Sequence, residues 1–380
     1  LKLQMIKNVI ISGIQIDTYA ILEDRVYPII EPTMFLAHMS QKNSKESVRA
    51  YGNDLLKFFR ELSEVNGISG ILGQDFRDVT DNEMNAYLNA YLRRKHGLKL
   101  KSINRHIATL RSFYDYAYSH GLMAEKKSFS FLVRSDEVKT SELAGVTKQF
   151  ALEYMSKDDL KTLLDSVPTN NFFNRKRDQL ALMLGYYTNF RTHELVEEDN
   201  LKVSDLEKLI TLDERGIPSI TRPMKIYGKG NKFRDVRVWP ELIQPLHEFL
   251  KMAKRVGGTH LMCRQDGISL TTEGHGTKAF RRAVTSLLLK GELSIEEAEL
   301  WRQRHFHCLR KCYATNAVTY CYREGYDKRS FVTRWMGHAD HATTEVYIYF
   351  EALLNQRTLT NNEIDMRKIL KGYQSKDFSE

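Results

Sequence analysis

His307-Cys308-Leu309-Arg310, followed further along by Trp335-Met336-Gly337-His338 and Thr343-Thr344-Glu345-Val346-Tyr347, gathers a guanidinium, two imidazoles and a phenol into one part of the chain. A planar guanidinium holds two phosphate oxygens at once. An imidazole donates hydrogen bonds or moves protons near neutral pH, and a phenol that gives up its proton attacks phosphorus. Together these groups suit cleavage of a phosphodiester, with Tyr347 as nucleophile and Arg310, His307 and His338 around the phosphate.

This stretch resembles the C-terminal signature of the tyrosine recombinase (integrase) family, in which H-x-L-R is followed by L-G-H-x-x-x-x-T-T-x-x-Y. Tyr347 follows His338 by nine residues, as that signature requires. Upstream, Thr188-Asn189-Phe190-Arg191-Thr192-His193-Glu194-Leu195 is similar to the family's T-G-L-R-x-x-E-L, so Arg191 and Glu194 fall on its matching positions. Asn189 replaces a glycine, and Asn is the other residue most at home at positive φ. Between the two halves, Ile226-Tyr227-Gly228-Lys229-Gly230-Asn231-Lys232-Phe233-Arg234 resembles the hairpin that presents the family's lysine, which in this register is Lys229. Phe190 and Lys311 depart from the family pattern.

Read without that resemblance, the pieces say less. Gly228 to Lys232 is a hairpin turn between β-prone runs. It lacks the spacing and the hydroxyl of a nucleotide-binding P-loop. His305, His307, Cys308 and Cys312 resemble loose zinc spacing, but there is no C-x-x-C pair, and Cys308 and Cys312 would share a buried helix face. Tyr349 is a competing phenol. Two residues along a helix, it points about 200° away from Tyr347.

The resemblance implies an in-line attack that builds charge on the non-bridging oxygens, met by Arg191 and Arg310. His307 would take the phenol proton or donate to phosphate, His338 would donate to the same oxygens, Lys229 would protonate the departing 5′ oxygen, and Glu194 would orient its neighbours from the same helical face. The product would be a 3′-phosphotyrosyl DNA that a 5′-hydroxyl reverses without ATP. No metal or other cofactor is implied.

The elements that must position these groups are largely helical. Val48, Tyr51, Leu55, Phe58 and Leu62 recur at three-and-four spacing. Thr80 to Glu83 forms a capping box before Met84, Tyr87, Leu88 and Tyr91. Ile103, Ile107, Leu110 and Tyr114 make a further stripe. Residues 1–30 read as a β-rich extension, 31–125 as a four-helix core-binding domain, 126–150 as a linker, 151–350 as the catalytic domain with helices around a small sheet, and 351–380 as a tail exchanged between subunits. The expected fold is mostly α with a small β-sheet, an N-terminal helical domain and an α/β catalytic domain closing as a clamp on DNA.

At 380 residues, with 42% apolar content, the chain is long enough for two cores. Its net charge of +9 suits a polyanion. Lys45, Arg49, Arg93, Arg94, Lys95, Lys99, Lys101, Arg105, Lys232 and Arg234 are the basic side chains expected on DNA phosphates. Four scattered cysteines fit no disulfide scaffold. Neither a signal segment nor a run of ~20 apolar residues is read, so a cytoplasmic, DNA-associated protein without a membrane partner is expected. The resemblance implies a homo-tetramer on double-stranded recombination sites, passing through a Holliday junction, with accessory DNA-bending or directionality proteins. Integration or excision of a mobile element is favoured over Xer-like dimer resolution by the N-terminal extension and long inserts. Type IB topoisomerase-like nicking and closing, or DNA binding without catalysis, are the alternatives.

Overall fold

The computed structural model describes residues 1–11, 13–24, 26–63, 75–133, 149–168, 171–228, 232–338 and 341–356. It comprises two compact units, Leu1–Val138 and Lys139–Glu380. Both are mostly helical, and each small sheet lies within one unit.

The first unit opens with a hairpin of β1 (Lys2–Ile11) and β2 (Ile14–Glu23), with the short β3 (Tyr27–Pro28) on the far edge of β2. Sequence patterning suggests four short apolar runs, at 9–11, 14–16, 19–22 and 26–29, whereas the structure extends the first into the ten-residue β1, joins the second and third in the ten-residue β2 and leaves the fourth at β3. A register shift between Ile6 and Val9 accommodates Asn8 at φ 59°, whose N–H donates to Asp17 Oδ1 at 3.1 Å. The hairpin is integral to the unit. Ile21 belongs to the same core as Phe35, Leu55 and Phe113, and a Cβ on Gly52 would lie 2.7 Å from Leu3 Cδ1.

Four helical segments follow: α1 (Ile30–Ser40), α2 (Lys45–Ser63), α3 (Asp81–Ala86), which continues as a π-helical segment over Tyr87–Lys95, and α4 (Leu100–Ser119). The stripes read from the sequence face inward, with Phe58 fully buried edge-on to Tyr87 at 5.5 Å. Burial of one such side chain contributes about 1.5–3 kcal/mol. Thr80 and Glu83 make the expected capping box. The π-helical turns, with His96 N–H donating to Tyr91 O at 3.1 Å, bring Tyr87 and Tyr91 into a stack 5.4 Å apart. Beyond α4 the chain runs alongside α3: Asp81 accepts from Ser130 N at 2.6 Å, and Asn85 from Leu132 N at 2.7 Å.

The second unit contains α5 (Lys157–Asp165), α6 (Phe172–Thr188), α7 (Val203–Leu209), α8 (Pro240–Arg255), α9 (His275–Leu289), α10 (Ile295–Gln303), α11 (Phe306–Glu324), α12 (Lys328–Met336) and α13 (Ala342–Leu354). Two small hairpins complete it, β4 (Thr211–Leu212) with β5 (Pro218–Ser219) and β6 (Met224–Tyr227) with β7 (Phe233–Val236). Residues 149–153 are also helical. Helix α11 is buried along nearly its whole circumference and packs on α6, α12 and α13. Gly185 permits the close approach of α6 to α11, since a Cβ there would lie 3.0 Å from Phe306 Cζ. Among the described residues no helix is long and apolar enough to cross a membrane.

Candidate active site

Helix α6 ends at Thr188, and Asn189 takes the left-handed conformation, φ 64° and ψ 29°. The asparagine thus does the conformational work of the glycine it replaces. Its carbonyl turns inward. The following residues make one turn, closed by Leu195 N–H to Arg191 O at 3.3 Å, rather than the helix expected from the sequence. The three-residue relation survives nonetheless: Arg191 Nη1 donates to Glu194 Oε1 at 3.0 Å, and Arg191 N–H to Oε2 at 2.7 Å.

Glu194 is fully buried at the centre of the cluster. Arg234 donates to its two oxygens from Nη1 and Nη2, both at 2.7 Å, and from Nη2 to the Asn189 carbonyl at 3.0 Å. Burial pushes the Glu194 carboxyl up, but Arg234 through hydrogen bonds and charge, then the charges of Arg191 and Arg310, hold it at about 2. Arg234 was expected on DNA. Instead it is buried, because β7 alternates and places Arg234 and Val236 on its inner face.

Arg310, on the first turns of α11, is also buried. It donates to the Asn189 carbonyl at 3.0 Å and to Met336 O at 2.5 Å. Burial, then the Arg191 and Arg234 charges, lower its proton affinity, whereas Glu194 and the Tyr347 phenol raise it. Three guanidinium groups thus converge on one carboxylate, a field that favours an added anion.

His338 follows the left-handed Gly337, φ 65°, which ends α12. Its Nδ1 lies 3.1 Å from Thr344 Oγ1, which in turn pairs with Thr333 Oγ1 at 2.7 Å. The imidazole stacks on Tyr347, with ring centroids 6.0 Å apart. Tyr347 is 2% exposed and meets Phe150 edge-on at 5.5 Å. Two residues before it, Glu345 accepts from Arg329 Nε at 2.5 Å, pinning α13 to α12. Tyr349 is half-buried against the core. His307 is half-buried at the start of α11. Burial, then Arg310 and further cations, push both His307 and His338 well below the ordinary imidazole range.

Lys229 lies outside the described residues, as does the tail from 357 onward. The ends of its loop are described. Gly228 N–H donates to Lys232 O at 2.8 Å, and a Cβ on Gly228 would meet Glu194 Oε1 at 3.2 Å. Asn200, which the sequence reading passed over, donates to Glu194 O at 3.0 Å and Tyr227 O at 2.9 Å, tying the hairpin to the turn. Thr344 and the Arg329–Glu345 pair were likewise passed over. Thr344 lay within the quoted motif, whereas nothing in the spacing singled out Asn200.

The cysteines have local roles. Cys308 Sγ lies 3.2 Å from His305 Nδ1 at the start of α11, and Cys312 Sγ accepts from Met155 N at 3.2 Å. Lys311 is buried in an ion pair with Glu153, and Phe190 joins the core. A groove of about 410 Å³ lined by Leu160, Leu164, Met183 and Phe249 shares none of the site residues.

Among the other basic side chains expected on DNA, Arg49, Arg94, Lys95, Lys99 and Lys232 are exposed and Arg93 is half-buried. Lys45 pairs with Asp17 at 2.7 Å, and Arg105 is held bidentate by buried Asp54 at 2.6 and 3.0 Å. The Lys101 side chain lies outside the described set.

Residues 33–121 match the phage integrase N-terminal SAM-like domain, and residues 153–352 match the phage integrase family. The chain belongs to the phage integrase family and is a tyrosine recombinase, an enzyme that cleaves and rejoins DNA. It is 28% identical to tyrosine recombinase XerC of Lacticaseibacillus casei over 82% of this chain and 90% of the relative. It is 24% identical to tyrosine recombinase XerD of Staphylococcus saprophyticus over 84% of this chain and 93% of the relative. Its fold is similar to that of a lambda integrase tetramer bound to a Holliday junction, with a TM-score of 0.55, 16% identity, and coverage of 87% of this chain and 78% of that one.

Proposed function

We propose that this recombinase uses Tyr347 to cleave a specific duplex site and exchanges strands as a homo-tetramer through a Holliday junction. The observation that carries the reading is the placement of the buried Tyr347 phenol face to face with His338, on the helix packed against the one that carries Arg310. The Tyr347 oxygen bonds to phosphorus while the bond from phosphorus to the 5′ oxygen breaks. Neutral His307 takes the phenol proton, and Lys229 supplies one to the leaving oxygen. Arg191, Arg310 and His338 hold the non-bridging oxygens, and Glu194 orients the arginines. A 5′-hydroxyl from the partner duplex reverses the attack and releases Tyr347.

We favour integration or excision of a mobile element, with accessory DNA-bending or directionality proteins, on the strength of the N-terminal hairpin. The similarity to XerC and XerD supports the second reading, Xer-like resolution of joined circles. Incubation in EDTA with nicked duplexes from the native locus tests the chemistry. A covalent DNA adduct that Tyr347→Phe abolishes supports it, and tight binding without adduct favours a non-catalytic DNA-binding protein. Paired sites on one circle and on separate molecules then distinguish the outcomes: exchange restricted to sites on one circle favours resolution, exchange between molecules favours the mobile element, and nicking with relaxation but no exchange favours topoisomerase-like action.

A further inference from the structure

We infer that Arg234 is a positioning residue that fixes the register and stance of the β6–β7 hairpin, and through it the loop that carries Lys229. The inference rests on the reading of Lys229 as the general acid.

The hairpin has four paired positions, from Met224↔Val236 to Tyr227↔Phe233, with Ile226↔Arg234 one step from the loop. So short a ribbon has little stability of its own. Strand side chains alternate, so a one-residue slip turns every inward group outward. In the observed register Arg234 and Val236 face in, whereas Phe233 is exposed and Asp235 is half-buried. A slip would bring Phe233 or Asp235 toward Glu194. Phe233 offers it no donor, and Asp235 would add like charge to a buried carboxylate.

Arg234 penalises that slip by geometry that lysine cannot copy. Its planar fork meets both Glu194 oxygens, and Nη2 also reaches the Asn189 carbonyl. Nη2 therefore gives both hydrogens to protein oxygens, and Nη1 gives one. Gly337 closes over the stem: a Cβ there would lie 2.9 Å from Arg234 Cδ. One side chain thus ties the lysine hairpin to the arginine turn and to the loop before His338. Three of its terminal N–H groups are taken by protein oxygens, two of them on the buried Glu194 carboxylate, which suits positioning.

The experiment uses two cleavage substrates, one ordinary and one with sulfur in place of the bridging 5′ oxygen. A thiolate leaves without being protonated, so the sulfur substrate bypasses a general acid. Arg234→Lys, Arg234→Gln, Lys229→Ala and Arg191→Ala are compared, with duplex affinity measured for each. We expect both Arg234 variants to lose about 100-fold or more on the oxygen substrate, to recover most of it on sulfur as Lys229→Ala does, and to bind duplex as the unaltered protein does. Arg191→Ala should stay slow on both. Arg234 variants equally slow on both substrates, while Lys229→Ala recovers, overturn the inference and leave the general-acid reading standing. Full activity of Arg234→Gln on oxygen also overturns it. If Lys229→Ala does not recover, the general-acid reading fails, and hydrogen exchange decides the positioning role. Faster exchange confined to residues 224–236 in Arg234→Lys supports the role, and unchanged or globally faster exchange removes it.

Discussion

His338 and Tyr347 lie face to face, their ring planes 18° from parallel and their centroids 6.0 Å apart. The pair joins the loop after α12 to the middle of α13. The ring of Tyr347 has a packing role and its oxygen the proposed chemical one, so removing the oxygen alone separates the two. Tyr347→Phe is expected to fold and bind duplex normally and to lose covalent adduct formation by about 10⁴-fold or more. Tyr349→Phe should retain the adduct. An adduct that survives Tyr347→Phe and disappears in Tyr349→Phe would transfer the nucleophile to the other phenol.

Glu194 makes stability depend on acid. Its carboxyl is held at about 2, against an ordinary 4.5, so the unfolded chain binds its proton more readily than the folded one. The resulting stabilisation, roughly 3 kcal/mol, is fully present above pH 4.5 and is lost as pH falls toward 2. Urea denaturation across that window should show the slope, and Glu194→Gln should flatten it. At neutral pH the same variant is expected to cost about 3–5 kcal/mol, since Arg191, Arg234 and Arg310 then crowd together without a counter-charge. An unchanged slope in Glu194→Gln would assign the acid sensitivity elsewhere.

Much of this arrangement is legible in the sequence, because helix stripes report burial directly and the motif residues carry their chemistry in their type. Leu55, Phe58, Leu88 and Leu110 face the core as their spacing says. Asn189 at positive φ follows from its side chain. Arg234 misled because a basic residue near a lysine turn looks solvent-facing, although its parity with Val236 already placed it inside. The π-helical segment from Tyr87 to Lys95 is less accessible, since a widened turn shifts the periodicity by a single residue. Asp54 within an apolar stripe is legible only once Arg105, His106 and Thr109 are seen around it.

The two site histidines should be neutral at pH 7 in the free protein. Burial, then Arg310 and the other cations, press His307 and His338 below the ordinary imidazole value. Neutral His307 can accept a proton, which the proposed first step requires. An added phosphate offsets the cationic field and should raise both values. Ring resonances followed by NMR are expected to titrate below pH 6.5 without DNA and to move upward with duplex present. Each lowered value also means that stability is present above pH 6.5 and declines as the pH falls below it. Titration of both rings at or above 6.5 in the free protein would remove His307 as the resting base.

Salt dependence separates basic residues that meet DNA from those that serve the fold. Each phosphate contact contributes close to one unit to the slope of log affinity against log salt. Arg94 and Lys99 are exposed, whereas Arg234 is buried and bound to Glu194. Arg94→Ala and Lys99→Ala should each weaken duplex binding across sequences and reduce the slope by about one unit. Arg234→Gln should leave the slope unchanged even where cleavage is lost. Arg105 lies between these cases, because Asp54 holds Nε and Nη2 while half of the side chain stays exposed. If Arg105 meets phosphate, Arg105→Ala lowers the slope and Asp54→Asn weakens binding with the slope kept, since the guanidinium remains but is no longer aimed. If Arg105 only satisfies Asp54, both variants lower thermal stability and neither changes the slope.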